Sequence, residues 1–448
     1  MKIKLLLLCV TLALPLMARA EDLSLADAYQ KALAYDATIR SSRAQNKADQ
    51  QEINKAFSAF LPQAGLTLYK GRGITDSTNP GFGGTAVNHH QVYGSDNNNF
   101  SVRQSVFNLA NFASYKEAKA IVAKSDAMLS KDNISLISRV GGAYLDALLS
   151  TENIQYSQAQ QASVQSQLDQ AERRYKLGIG TVTEVNEAKA NLEDVKAKAL
   201  EWTSNLEYSK RTLENLTGVY AEGLLVLDAE KLPLHAPEPE NVDSWIERAW
   251  ANNPDILAAQ EDIKVATQEI TRNRAGHFPT LDLVASRSYT SSDTNYTIGS
   301  TYNSTSIGLQ LSVPIYSGGR VNATVLQASA KLEQANEVLT VQQRAVAADV
   351  RKYFNALMNG IAKIQSYEQS VKSNEIAVIG TRKGFEAGVR TNVEVLNAQE
   401  KLFAAKRDLA HERYMFIYSG LQLKQSTGVL TDADIQEVSS WLSVSPAS

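Results

Sequence analysis

Apolar positions along this chain change their spacing in a fixed order, and the order is run through twice. Residues 24–58 are helical in composition, with Ala, Lys, Glu and Gln and no Pro or Gly, which predicts helix until Pro62 and Gly65 stop it. Ala64, Leu66 and Leu68 then alternate with Gly65, Thr67 and Tyr69, the period of two of a strand with one apolar face. Gly71 to Asn99 is rich in Gly, Asn and Ser and reads as turn, after which Phe100, Val102, Gln104 and Val106 alternate back. The second half repeats the pattern more cleanly. Leu281, Leu283 and Ala285 share one face, Ile307, Leu309, Leu311 and Val313 share another, and Ser291 to Ser304 is turn-rich between them. Each half is therefore expected to contribute one hairpin of two amphipathic strands.

From Asn111 to Lys176 there is no Pro, and only Gly141-Gly142 interrupts a helix-favouring run. At 1.5 Å per residue such a run makes a rod of roughly 100 Å. Val321 to Phe385 is its counterpart. Ile137, Val140, Tyr144, Ala147 and Ile154 step by three and four as a heptad seam. Thr151, Gln158, Gln161 and Gln165 then take seam positions before Leu168 and Tyr175, so the seam is expected to become wetter toward Gly178. Residues 182–216 run back as a second helix.

The order recurs because the sequence does. Ala32, Ala34 and Ile39 return 217 residues later as Ala249, Ala251 and Ile256. Beyond the hairpins the offset settles near 210: Tyr175-Lys176-Leu177-Gly178 matches Phe385-Glu386-Ala387-Gly388, and Thr181, Glu184 and Val185 match Thr391, Glu394 and Val395. The chain divides into a first repeat at 21–219, a connector at 220–241 containing Pro233, Pro237 and Pro239, a second repeat at 242–428 and a tail at 429–448. The strand hairpins are expected at about 62–107 and 279–315, and the helical hairpins at about 110–217 and 318–426.

Composition narrows the setting. Residues 1–20 carry Lys2 and Lys4, an apolar run from Leu5 to Met17, and Ala18-Arg19-Ala20, the layout of a cleavable signal peptide. Across the 448 residues the net charge is −3; without that segment it becomes −6, and the only cysteine, Cys9, is lost with it. The expected mature chain is exported and free of disulfides, and it lacks the basic excess a nucleic-acid partner would require.

Two readings of the strands are open: a four-stranded sheet packed on its own helices, or part of a membrane barrel. An open sheet cannot sit in hydrocarbon with its edge N–H and C=O groups unpaired, so a barrel would have to close by oligomerisation, in multiples of four strands. Tyr69, Phe82, Tyr93, Tyr289, Tyr296 and Tyr302 lie near the hairpin tips, where interfacial aromatic girdles belong. Rods of this length cannot pack on one small sheet. Leu61-Pro62-Gln63 opening a strand, Val313-Pro314-Ile315-Tyr316-Ser317-Gly318-Gly319 closing the last one, and the Tyr-x-x-Gly and Phe-x-x-Gly tips at Tyr175 and Phe385 complete a specific set. With these motifs the chain, from about Leu23 to Thr427, resembles the TolC family of outer-membrane efflux and secretion ducts. The resemblance implies a mainly α fold with a β-barrel part. Long helical hairpins form an α-barrel, four transmembrane strands come from each chain, and a homotrimer closes a 12-stranded barrel in the outer membrane. It further implies a periplasmic adaptor and an inner-membrane ABC or proton-driven pump, serving type I secretion or multidrug efflux.

The resemblance also places a gate at the periplasmic helix tips, on Thr183, Glu184, Phe385, Arg390, Glu394 and Asn397. Arg390 is expected to bond toward Thr183 or Glu184 of a neighbouring coil, backed by Phe385. Three copies of Glu394 would ring the lumen; Asn397 stands where the family's prototype has a second acidic ring, so weaker cation selectivity is expected. Gly178 and Gly388 would end their helices and admit the adaptor beside them. Enzyme motifs are missing. His411-Glu412 begins a zinc-protease pattern whose second histidine is replaced by Met415, and His89-His90 has no acidic cluster around it in sequence. No cofactor or metal is expected. A rival from another class is a periplasmic structural coiled-coil assembly protein.

Overall fold

The computed structural model describes residues 22–80, 83–292 and 300–443. The expected signal segment, Phe82 and Tyr296 lie outside them. The N-terminal run is three helices rather than one: α1 (Leu25–Tyr35), α2 (Ala37–Asp49) and α3 (Gln51–Ser58). Composition hid the first break, because Asp36 is a capping residue: its side chain accepts from the Ile39 amide at 2.9 Å and so starts α2. The hairpin β1 (Gln63–Pro80) and β2 (Ala86–Phe107) follows, then α4 (Leu109–Lys176) and α5 (Val182–Thr217). The connector holds the two-residue β3 (Val226–Leu227). The second half runs α6 (Val242–Asn252), α7 (Pro254–Arg274), β4 (Thr280–Ser292), β5 (Ser300–Ser312), α8 (Arg320–Glu386) and α9 (Asn392–Ser426). The tail is structured: α10 (Asp432–Ser440) leads into β6 (Leu442–Ser443), which pairs antiparallel with β3.

The chain packs as two compact units. One takes the chain up to Arg40, Asp132–Ala249 and everything from Ala347; the other takes Ser41–Lys131 and Trp250–Val346. In the second of these, four antiparallel strands form a sheet in the order β1-β2-β4-β5. Gly71–Asn99, read as turn, is largely strand: β1 pairs with β2 continuously from Gln63↔Arg103 to Pro80↔Ala86. Ladder hydrogen bonds override the weak propensity of Gly and Asn here. Glycine entropy is offset by aromatic cover, since a Cβ on Gly71 or Gly73 would collide with the ring of Tyr69 or Tyr93.

The register sorts the side chains into two faces. Leu66 lies opposite Phe100, Val102 opposite Ala285, Leu283 opposite Leu309 and Ala285 opposite Ile307. Residues directly opposite one another share a face, so these form one mainly apolar sheet face, which also carries Arg287 opposite Phe100. It is exposed: Leu66 and Leu68 are 65% and 68% accessible, Ile307 76%. Along Ile307–Val313 it extends about 20 Å at ~3.3 Å per residue. Of the described residues of the expected girdle, Tyr289, opposite Asn98, falls on this face, while Tyr69, Tyr93 and Tyr302 have the other parity, since side chains alternate at every residue. Phe57, Phe60, Phe112 and Tyr115 instead cluster at the opposite end of the strands, with Phe60 and Phe112 centroids 5.0 Å apart. Lys131–Asp255, Lys124–Asp262 and Arg272–Glu117 ion pairs at 2.6–2.8 Å tie α4 to α7.

The other unit is helical. Tyr144 of α4 is fully buried, and its hydroxyl donates to the carbonyls of Leu23 and Leu225. Arg139 grips Asp36 through two bonds of 3.0 and 3.1 Å. Burial pushes the Asp36 carboxyl up, but Arg139 and the Ile39 amide outweigh it and hold it below the ordinary carboxylate range.

The seam of α4 differs in phase from the one read in the sequence. Ser150, Asn153, Ser157, Gln160, Val164, Gln167 and Ala171 are buried, whereas Gln158 and Gln165 are exposed. The packed positions recur every seven residues, at Leu136, Ala143, Ser150, Ser157, Val164 and Ala171, one residue out of phase with the heptad counted from Ile137 and Tyr144, a stretch buried on several sides where either phase fits. The wet character is retained, on other residues.

Candidate functional site

The tips where α4 turns into α5, and α8 into α9, gather every candidate gate residue. Each long helix ends at a glycine with left-handed φ, +74° at Gly178 and +77° at Gly388. The Ile179 amide donates back to the Arg174 carbonyl at 3.1 Å, and that of Val389 to Gly384 at 2.9 Å, which closes the last turns. Among the described residues, and flanking neighbours apart, nothing lies within 4 Å of where a Cβ would stand on either glycine. Thr181 and Thr391 then cap α5 and α9, accepting from the amides of Glu184 (3.2 Å) and Glu394 (3.3 Å).

The two tips part company at the carboxylates. Glu394 completes a capping box: it accepts from the Thr391 amide at 2.7 Å and hydroxyl at 3.1 Å, and from Arg390 Nη1 at 2.6 Å. The Thr391 amide first, then the Arg390 guanidinium, hold its carboxyl below the ordinary glutamate value. Glu184 is half-buried, and its Oε2 has no hydrogen-bond partner. Within the chain, Arg390 therefore reaches Glu394 of its own tip, at the start of α9, rather than Thr183 or Glu184. Thr183 and Asn397 are exposed.

Phe385 is 5% accessible and lies under a residue the sequence did not single out. The Arg174 guanidinium stands 4.9 Å from its ring centroid and so joins α4 to α8. Arg174 Nη2 also donates to the Ile179 carbonyl at 3.3 Å. A signal was present in the repeat. At the offset of 210, Arg174 corresponds to Gly384 and Gly180 to Arg390. Space explains the exchange: a Cβ on Gly180 would meet Arg174, and one on Gly384 would meet Arg390. Each turn has room for one arginine, and the two halves place it on opposite sides.

Above the tips the helices pack through Val164 and Leu168 of α4, Ala188, Leu192 and Val195 of α5, and Leu396 of α9. This apolar layer is interleaved with amides. Gln160 accepts from Arg407 at 3.2 Å, but Asn153 Oδ1, Gln167 Oε1, Asn392 Nδ2 and both amide ends of Gln399 are buried without a partner. Unpaired buried amides are costly, so they subtract from what the apolar contacts of this layer contribute. Further along, Glu152 of α4 accepts from Tyr414 of α9 at 2.6 Å and from Tyr156 at 3.3 Å; burial pushes its carboxyl up against the opposing pull of both hydroxyls and of Arg413. Among the described residues no cluster of His, Cys, Asp and Glu could hold a metal, and no helix is long and apolar enough to cross a membrane.

A family model described as outer membrane efflux protein matches residues 28–219 and 245–429, one stretch in each half. The chain belongs to this family, that of TolC. It is 30% identical over 451 residues to the proteases secretion protein PrtF of Dickeya chrysanthemi, covering 100% of this chain and 96% of the relative. It is 31% identical over 439 residues to the outer membrane protein TolC of Escherichia coli, covering 95% and 86%. The crystal structure of the outer membrane protein VceC from Vibrio cholerae superposes with a TM-score of 0.75, covering 92% and 97%, at 20% identity, a likeness of fold. As a TolC-family member the chain is an outer-membrane channel for efflux and type I secretion, and its relatives are transport proteins. The periplasmic assembly reading is thereby set aside. TolC-family channels work with adaptors and inner-membrane pumps and form trimers.

Proposed function

We propose that three copies of this chain close a twelve-stranded barrel through the outer membrane and continue it as a helical tunnel whose periplasmic tips form the gate. The observation that carries this is the sheet: one face is mainly apolar, exposed and about as tall as a membrane-facing band, and β1 and β5 are edges, each with one side unpaired among the described residues. Edge-to-edge closure between chains satisfies those backbone groups, and hydrocarbon covers the face. At the tips, Thr183, Glu184, Phe385, Arg390, Glu394 and Asn397 form the constriction, with the Arg174–Phe385 stack holding α4 to α8 inside each chain. The open space beside Gly178 and Gly388 fits docking of an adaptor hairpin. The names of the relatives support protein cargo, drug efflux or both, driven by an ABC or proton-coupled pump.

The test is the state of the full chain in its host. Heat-resistant trimers in outer-membrane fractions, together with discrete single-channel conductance after reconstitution, are expected. A monomer in the soluble periplasmic fraction that conducts nothing would overturn the proposal.

A further inference from the structure

Away from the sheet and the tips, the connector, α8, α9 and α10 enclose a cavity of about 290 Å³. Its existence traces to Gly420 of α9. A Cβ there would meet only Leu357, at 3.9 Å, whereas one on Gly360 would come within 3.1 Å of the Phe416 ring. The missing side chain at 420 is what keeps the space open. The walls are aromatic and aliphatic, with Phe416, Trp441 and Trp245 among them. Trp245 already carries a cation on its ring, the Arg248 guanidinium at 5.3 Å from the centroid.

The polar groups are of one predominant sign. Glu238, Asp434 and Glu437 line the cavity with one ammonium, Lys424, which is bonded to Asp434 and stands 3.7 Å from Glu437, and with the imidazole of His235. Glu238 has no ion-pair partner among the described residues. An anion is disfavoured here by the exposed carboxylates of Glu238 and Glu437, and the aromatic walls favour an apolar body. A cation with an apolar body meets both demands, since aromatic faces attract ammonium groups and the carboxylates neutralise them.

We propose that this cavity is a binding site for small organic cations with an apolar body, of the aryl quaternary ammonium class, separate from the duct itself. Because its walls come from α8, α9, α10 and the connector, an occupant ties these elements together and raises the stability of the folded chain.

Benzyltrimethylammonium is the probe, titrated calorimetrically into the detergent-purified full chain, with neopentylbenzene as its neutral counterpart of the same shape. Saturable binding of the cation and a rise in melting temperature are expected, with the neutral compound at least tenfold weaker. Gly420→Leu fills the space and abolishes binding while leaving the melting temperature of the free protein in place. Glu238→Gln with Glu437→Gln weakens binding at least tenfold, and decides the matter should Gly420→Leu fail to fold. Equal binding of neopentylbenzene, undiminished binding by these variants, or no binding by the wild-type protein each overturns the proposal.

Discussion

The amide of Gln399 is the sharpest point at which to probe the interface above the tips. Its side chain is 2% accessible, and neither Nε2 nor Oε1 has a partner. It sits one turn beyond Leu396, in the layer where α9 meets α4 and α5. Burying an unsatisfied polar group costs about 1–3 kcal/mol, and exchanging it for an apolar group of similar shape removes that cost. Met is unbranched and close to Gln in volume, so Gln399→Met avoids both a cavity and a clash. A gain of about 2 kcal/mol per chain is expected, roughly thirty-fold in the balance between packed and separated helices. Two measurements read this. The melting temperature of the purified protein should rise by several degrees, and in lipid bilayers the open dwell time of single channels should fall. A variant that melts lower, or conducts with unchanged dwell times, would refute the reasoning, because it would mean that water or a neighbouring chain already satisfies the amide.

Other perturbations address single links. Arg390→Gln frees the Glu394 carboxylate and should increase cation selectivity in reversal-potential measurements, whereas Glu394→Gln should reduce it; equal selectivity in both variants would remove Glu394 from the pore. Gly388→Leu forces a side chain into left-handed backbone at about 1 kcal/mol and fills the empty space beside the turn, so export should fail while trimers persist in the outer membrane. Loss of the trimers would assign the glycine to folding alone. Asp36→Asn retains the cap of α2 but leaves Arg139 without its counter-charge, and a loss of about 2 kcal/mol is expected in denaturant unfolding. The Glu152 carboxyl is raised above its ordinary 4.5 by burial. The folded chain therefore binds that proton more tightly than the unfolded one, and the contribution is complete below 4.5 and lost as pH rises through the folded value. Melting temperatures of wild type and Glu152→Gln should differ in slope across that window, and identical profiles would count against the buried carboxyl.

What was legible in the sequence was what local chemistry dictates. Gly178 and Gly388 announce their turns because left-handed φ is costly for other residues, and Thr181 and Thr391 announce the following helices because a cap needs a side-chain acceptor at that one position. The long helices were legible because nothing in them competes. Asp36 was not, since a capping aspartate inside an Ala-rich run looks like any solvated charge until Arg139, about a hundred residues on, is brought against it. Nor was the strand character of Gly71–Asn99, which comes from pairing and from tyrosine rings lying over glycines. The phase of the α4 seam was missed for a related reason. Ser150, Ser157 and Gln160 carry little hydrophobic signal, so the apolar pattern of α4 rests on Ile137 and Tyr144, where the helix is buried on several sides at once and more than one phase fits.

The same limit governed the gate. Motifs shared by the two halves, Glu184 with Glu394 and Tyr175 with Phe385, drew attention because they repeat. The residues that make the tips differ are those that do not repeat: Arg174 against Gly384, and Gly180 against Arg390. Through that exchange one tip stacks its arginine on Phe385 and the other bonds its arginine to Glu394. A duplicated chain whose tips were identical would offer identical surfaces to a partner and to the lumen. Here the exchange makes α4–α5 and α8–α9 chemically distinct at the same geometry. A ring of three chains would then alternate two kinds of tip, one whose arginine is held by an aromatic ring and one whose arginine is held by a carboxylate. The second contact weakens with added salt and the first much less, so at the proposed gate the α8–α9 tips are the half whose exposed charge ionic strength alters.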